Sequence, residues 1–199
     1  MNEIIIIGTG GSYKMICETH QEFLKHKKII SVEYQNLNSL KNYNPQIPVI
    51  LAIGANRNVE YRKKSFHFLK KIGFSLQSVI SSKAIISNKT KIGKGCIIMP
   101  GAIINTNSIL NNNVFINTGV IVEHDCVIGE SSFLATGCIL SGNVKIGNNS
   151  FIGAGSVIIG NVIIGDNVTI GAGSVVIRDL KDNTIAYGNP AHKNIKLTQ

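Results

Sequence analysis

The 199-residue chain has no tryptophan, only 16% charged residues, no long apolar run and no closely paired cysteines. Each absence removes a class of protein. The opening apolar stretch, Ile4 to Ile7, follows Met1-Asn2-Glu3 with no basic leader and no small-residue cleavage site, so no signal peptide is expected. Nothing approaches the roughly 20 apolar residues of a membrane span, so no membrane insertion is expected. The four cysteines (Cys17, Cys96, Cys126 and Cys138) form no CxxC pair, which fits reduced thiols and a cytoplasmic location. The net charge is +9, yet no basic run alternates with aromatics, so nucleic acid is not the expected partner. Residues 1–79 hold 11 bases and 5 acids, and residues 80–199 hold 9 and 6. The excess gathers in the first part, where a phosphate-bearing nucleotide or coenzyme suits it. With 44% hydrophobic residues, the chain can bury a real core.

What is present is a repeat. Stepping by six from Ile80 through Ile86, Ile92 and Ile98 to Val176 meets Ile, Leu or Val at all seventeen positions. Four residues after each stands a small or β-branched residue, from Ala84 to Ser174, with Leu180 as the one departure. A six-residue period matches neither a helix nor a hairpin sheet; three units closing one triangular coil match it. Three residues after each aliphatic, from Gly95 to Gly173, twelve of fourteen positions are Gly or Asn. These residues enter the left-handed region at least cost, so a turn is expected at every corner. The expected architecture for residues 80–199 is a left-handed parallel β-helix with a C-terminal tail. Its five to six coils rise roughly 27 Å at about 4.8 Å per layer. Cys96, Cys126 and Cys138 fill the small-residue slot on three different faces, which makes them packing residues rather than ligands.

Residues 1–79 read as a Rossmann-like α/β domain. Ile4 to Ile7 is a buried strand, followed by Gly8-Thr9-Gly10-Gly11-Ser12 and a helix near Tyr13–His26. A second strand, Ile29 to Val32, ends at Glu33, and a third, Val49 to Ile53, ends in Gly54-Ala55-Asn56-Arg57 before a basic helix reaching Lys71. A strand, glycine turn, helix, strand and acid in that order put a phosphate at a helix N-terminus and a ribose near the carboxylate. Asn36 to Pro48 reads as a surface loop, and residues 72–79 as the link between domains.

Only one of the five histidines lies in the repeats: His124, in Val122-Glu123-His124-Asp125-Cys126. It stands two residues after an aliphatic, beside the corner, and is expected to face outward. Asp125 occupies a slot that is otherwise almost always Gly or Asn. A carboxylate beside an imidazole orients the ring and raises its basicity, the arrangement of a general base. One and two coils further on stand Gly142 and Gly160, a glycine column expected to leave a groove over the histidine for an extended pantetheine arm.

These residues resemble the bacterial sugar O- and N-acyltransferase family, which includes sialic acid O-acetyltransferases and acetyltransferases acting on UDP-amino sugars. The matching elements are Ile7-Gly8-Thr9-Gly10-Gly11, Ala52-Ile53-Gly54, the repeats, Asn117 with Glu123-His124-Asp125, and Gly188-Asn189-Pro190-Ala191. The resemblance implies a homotrimer with active sites between adjacent coils, acetyl-CoA as co-substrate without a metal, and a nucleotide-sugar-binding N-terminal domain. It implies that His124 takes a proton from the acceptor for direct attack on the thioester. It gives supporting roles to Asp125 and Asn117, and an oxyanion contact to the Gly142 N–H. It further implies coenzyme contacts at Phe133, Gly142, Ala154 and Ala172, and nucleotide-sugar contacts at Gly10, Gly11, Ser12, Glu33 and Gly54. The expected activity is N-acetylation of a nucleotide-linked amino sugar for a bacterial surface glycan, with O-acetylation of sialic acid or another sugar as the alternative. A metal-dependent β-helix enzyme would need three histidine ligands where the repeats hold one. A non-catalytic β-helix binding protein would leave the imidazole–carboxylate pair unexplained.

Overall fold

The computed structural model describes residues 3–55 and 59–194; the turn residues Asn56 and Arg57 lie outside them. Seventeen two-residue strands run from β4 (Val79–Ile80) to β20 (Val175–Val176), and each expected aliphatic is the second residue of one of them. Each strand pairs in parallel with the strand one coil of 18 residues away, as Phe115 does with Ile97 and Phe133. Three stacked sheets result, the faces of a β-solenoid prism of five to six coils. The first face runs from β4 to β19 (Thr169–Ile170) and is extended by a C-terminal hairpin, Ile185–Gly188 and Ala191–Asn194; the second runs from β5 (Ile85–Ile86) to β20; the third runs from β6 (Lys91–Ile92) to β18 (Ile163–Ile164).

The alternation of a strand places one residue of each pair inside and the other outside. From Ile98 to Val176 every inward aliphatic is at most 3% exposed. At the opposite end no coil lies beneath, and Ile80, Ile86 and Ile92 keep part of their surface in solvent. All fourteen corner positions from Gly95 to Gly173 have φ between +55° and +72°, Asp125 and Ser131 included. The small slot beside each corner from Gly95 onward is filled by a buried residue, and serines there also bond between coils. Ser132 Oγ donates to Gly147 O (2.7 Å) and accepts from Ser150 N (3.0 Å). Cys96 and Cys138 are free, and burial pushes their thiols up to about 11 and about 12.

The N-terminal part is a small α/β unit. Its parallel sheet has the order β2-β1-β3, with β1 Glu3–Ile7, β2 Lys28–Val32 and β3 Val49–Leu51. The expected first helix is divided into α1 (Gly11–Thr19) and α2 (Gln21–Leu24). The break falls at His20, whose buried ring lies with Nε2 3.3 Å from Ile98 O of the coil, a contact the local sequence does not announce. Two short 3-10 turns lie within Tyr34–Asn42, kinked at Asn36, and the second falls in the expected loop. The expected link is packed: Val49 N donates to Ser75 O (3.1 Å) and Gln77 N to Val49 O (2.8 Å), with Phe74 and Leu76 buried.

The unit sits on the first face of the solenoid. That face turns Val79, Ile97, Phe115 and Phe133 outward, and they share one buried cluster with Ile4, Ile6, Ile16 and Ile50. The rings of Phe115, Phe133 and Phe151 stack from coil to coil, with centroids 4.6 and 5.7 Å apart. Arg62, in α3 (Glu60–Lys71), is fully buried at this junction. Its guanidinium donates to Leu51 O and Ile53 O (3.2 Å) at the end of β3. It also donates to Gly95 O (3.0 Å) and Asn113 O (3.2 Å) on the coil, and lies 5.2 Å from the Phe115 ring. Burial lowers its pKa to about 10, so it remains a cation at neutral pH. Four carbonyls converge on one planar donor set, which a lysine cannot match. Arg62→Met is expected to cost about 2–4 kcal/mol, read as a lower urea midpoint, because it leaves those carbonyls unpaired in the interior. Arg62→Lys should recover only part of the loss.

Candidate active site

The outward strand positions of the coil are mostly apolar, so its polar side chains gather at the corners. β11 (Ile121–Val122) lies on the second face and β12 (Val127–Ile128) on the third, so Glu123-His124-Asp125 forms the corner between them. The imidazole Nδ1 stands 2.8 Å from Asp125 Oδ2. An ionised carboxylate only accepts, so Nδ1 donates to it, and in the neutral ring Nε2 presents a lone pair. Hydrogen bonds, first from His124 and then from Asn107, hold the Asp125 carboxyl below its usual range. Asn107 Nδ2 donates to Asp125 Oδ1 at 3.2 Å, and Asn105 Nδ2 donates to Glu123 Oε2 at 3.0 Å. Asn107 was not singled out by sequence, although it occupies the same turn slot as Asp125 one coil earlier.

Gly142 lies one coil beyond the histidine. A Cβ added there would stand 2.6 Å from both Cε1 and Nε2 of His124, so the ring itself fills the space over this glycine. The expected open groove above the histidine therefore begins as the seat of its imidazole. Among the described residues nothing accepts the Gly142 N–H, which leaves it available to a ligand.

The other expected residues stand elsewhere on the prism. Asn117 lies between β10 (Phe115–Ile116) and β11, on the corner between the first and second faces, and Ala154 and Ala172 lie on the same corner. Within one chain they occupy the opposite edge of the second face from His124. Their corner carries glycine at all five turn positions from Gly101 to Gly173, and nothing lies within 4 Å of an added Cβ at Gly119, Gly137, Gly155 or Gly173. Phe133 is only 4% exposed, sandwiched in the aromatic stack beneath the α/β unit, so its side chain offers a coenzyme almost no surface.

A second site forms at the C-terminal ends of β1, β2 and β3. Gly10, Gly11, Ser12, Glu33 and Gly54 meet there in one cleft of about 510 Å³. Gly8 has φ +109°, and a Cβ on it would meet Ala52 O at 2.7 Å, so the turn into α1 requires glycine. α1 has no acid in its first turn and no side-chain cap, which leaves its amide donors and positive dipole end facing the cleft. Tyr34 and Gln35 also line the cleft and were not anticipated. No group of three or more His, Cys, Asp or Glu that could hold a metal occurs among the described residues.

Two family models match the solenoid: bacterial transferase hexapeptide (six repeats) over residues 143–178, and hexapeptide repeat of succinyl-transferase over residues 84–118. No curated protein matches the sequence significantly. Among solved structures, PerB from Caulobacter crescentus, in complex with CoA and GDP-perosamine, is 30% identical with a TM-score of 0.88, and the match covers 98% of each chain. The acetyltransferase domain of PglB from Neisseria gonorrhoeae is 27% identical with a TM-score of 0.89, covering 98% of this chain and 100% of that one. WeeI from Acinetobacter baumannii is 26% identical with a TM-score of 0.83, covering 96% and 100%. The chain belongs to the bacterial sugar acyltransferases built on a hexapeptide-repeat β-helix. Gly142 does not need a positive φ, so alanine fits its backbone and only the imidazole must move. Gly142→Ala is therefore expected to cut acetyl transfer at least about tenfold by misplacing the ring, with an unchanged melting temperature.

Proposed function

We propose that this protein transfers acetyl from acetyl-CoA to the amino group of a nucleotide-linked amino sugar, with His124 as general base. The observation that carries the mechanism is the imidazole held at 2.8 Å by Asp125, with its Nε2 beside Gly142. In the reaction Nε2 takes a proton from the acceptor amine as its nitrogen attacks the thioester carbon. The Gly142 N–H hydrogen-bonds the carbonyl oxygen as negative charge gathers on it. The C–S bond then breaks, and the thiolate of CoA leaves and regains a proton from the imidazolium. Asp125 stays ionised and steadies the cation formed between the two transfers.

The acceptor's nucleotide is assigned to the cleft of Gly10, Gly11, Ser12, Glu33 and Gly54. In this reading residues 1–79 act as a Rossmann-like nucleotide-sugar domain, with a diphosphate at the N-terminus of α1 and Glu33 toward the ribose. Two similar proteins support the class: PerB was solved with CoA and GDP-perosamine, and the PglB acetyltransferase domain with acetyl coenzyme A.

The reading takes the coil of residues 80–199 as left-handed and the enzyme as a cytoplasmic homotrimer. The second face supports the trimer. Its outward positions are Ile85, Ile103, Ile121, Ile139, Val157 and Val175, an aliphatic strip whose first member is 67% exposed. Covering such a strip by a threefold ring sets the His124 corner of one protomer against the glycine-lined corner of the next, where Asn117, Ala154 and Ala172 stand. Coenzyme bound between protomers would then touch both edges.

His124→Ala is expected to lower kcat by about 10²- to 10⁴-fold while acetyl-CoA still raises the melting temperature. Full turnover by His124→Ala would sink the mechanism. Thiol release measured with nucleotide-linked amino sugars against free and CMP-linked sialic acids tests the acceptor; turnover with the sialic acids alone would transfer the reading to a hydroxyl.

A further inference from the structure

The corner that carries His124 is one rung of an amide ladder. Its turn slot holds Asn107, Asp125, Asn143 and Asn161 in successive coils, all with φ between +59° and +64°. Stacked every 18 residues, such side chains bond along the coil axis, each amide donating to the oxygen one coil further on. Asn143 Nδ2 donates to Asn161 Oδ1 at 2.8 Å, and on the neighbouring corner Asn113 Nδ2 donates to Ser131 Oγ at 2.9 Å. Asn107 Nδ2 donates to Asp125 Oδ1 at 3.2 Å in the same sense.

Asp125 differs from its neighbours in the ladder because a carboxylate can accept but cannot donate. The chain of bonds stops there: Oδ1 is held from below by Asn107, and nothing on Asp125 can reach up to Asn143. Its second oxygen is freed from the ladder and turns to His124 Nδ1. One hydrogen bond thus fixes which oxygen faces the ring and the rotation of the carboxylate, so that Asp125 can hold the Nδ1–H tautomer.

We infer that Asn107 is a positioning residue for acetyl transfer, acting through Asp125 on His124 by closing an Asn107–Asp125–His124 relay along the coil axis. The inference rests on His124 being the base. It also explains why Asn107 is needed in its own right: glycine would satisfy the same φ of +60° but would leave the carboxylate held from one side only.

Asn107→Gly keeps the turn and removes the donor. It is expected to lower kcat about tenfold, with KM for acetyl-CoA and for the acceptor within about twofold of wild type. Asn143→Gly makes the same change one coil on, where no amide reaches Asp125, and should retain wild-type kcat and the same melting temperature as Asn107→Gly. Asp125→Asn should lose more than Asn107→Gly, and adding Asn107→Gly to it should cost nothing further, since the relay is already broken. Wild-type kcat in Asn107→Gly alongside an impaired Asp125→Asn would overturn the relay and leave the base intact. Equal losses from Asn107→Gly in the wild-type and Asp125→Asn backgrounds would also overturn it. Full activity in His124→Ala would remove the base itself, and the relay with it.

Discussion

Every six residues between Gly95 and Gly173 the backbone passes through the left-handed region, and everything else in the molecule is suspended from those corners. A positive φ turns the chain sharply enough that two-residue strands can alternate with turns and still stack in register. Because the register repeats at 18 residues, aliphatic sits on aliphatic inside, and polar side chains at two of the edges stack within reach of one another. The inner column gains hydrophobic burial and the outer column gains hydrogen bonds from the same geometry. No residue in the coil can be moved by one position without exchanging an inward side chain for an outward one.

That regularity made the solenoid readable. Seventeen aliphatics at a fixed interval needed no tertiary information, and neither did the departure at Asp125. What could not be read depended on contacts between distant parts of the chain. Phe133 is an outward residue by period, yet it is buried because the α/β unit covers that face. The first helix breaks at His20 because its ring meets Ile98 O, 78 residues away. Gly142 and Gly160 read as empty space, whereas the His124 ring leans along the axis and fills the first of them. In the N-terminal unit the glycine turn, Glu33 and Gly54 could be assigned to one cleft because parallel strands deliver their C-terminal ends together. Tyr34 and Gln35 line the cleft from the turn that follows Glu33, ahead of the stretch from Asn36 that read as loop.

The junction between the two parts is held by unequal means. Apolar packing joins the two in one buried cluster, but it is tolerant of small rotations. Arg62 is not, because its nitrogens must meet carbonyls from both sides at once: Leu51 and Ile53 from the strand that ends at the cleft, Gly95 and Asn113 from the coil. A buried cation without a carboxylate partner among the described residues is costly to desolvate. Its retention at this point ties the end of β3, and hence the lip of the cleft at Gly54, to a fixed place on the prism. His67, whose Nε2 lies 3.6 Å from Glu130 Oε1, adds a weaker contact between the same two bodies at the solvent edge.

The three corners of the prism have thus diverged from one repeat into three chemistries. The corner between the third and first faces presents its carbonyls to Arg62 and its Glu130 to His67, so it carries the α/β unit. The corner between the first and second faces is glycine throughout and leaves an open edge along the axis. The corner between the second and third is an amide ladder interrupted once, by a carboxylate that faces an imidazole. His124 and the bare edge therefore flank the same aliphatic second face and cannot meet within one chain. The proposed threefold arrangement would bring the bare edge of one chain to His124 of another while covering the aliphatic strip between them. A single apolar surface would then serve both the assembly and the site.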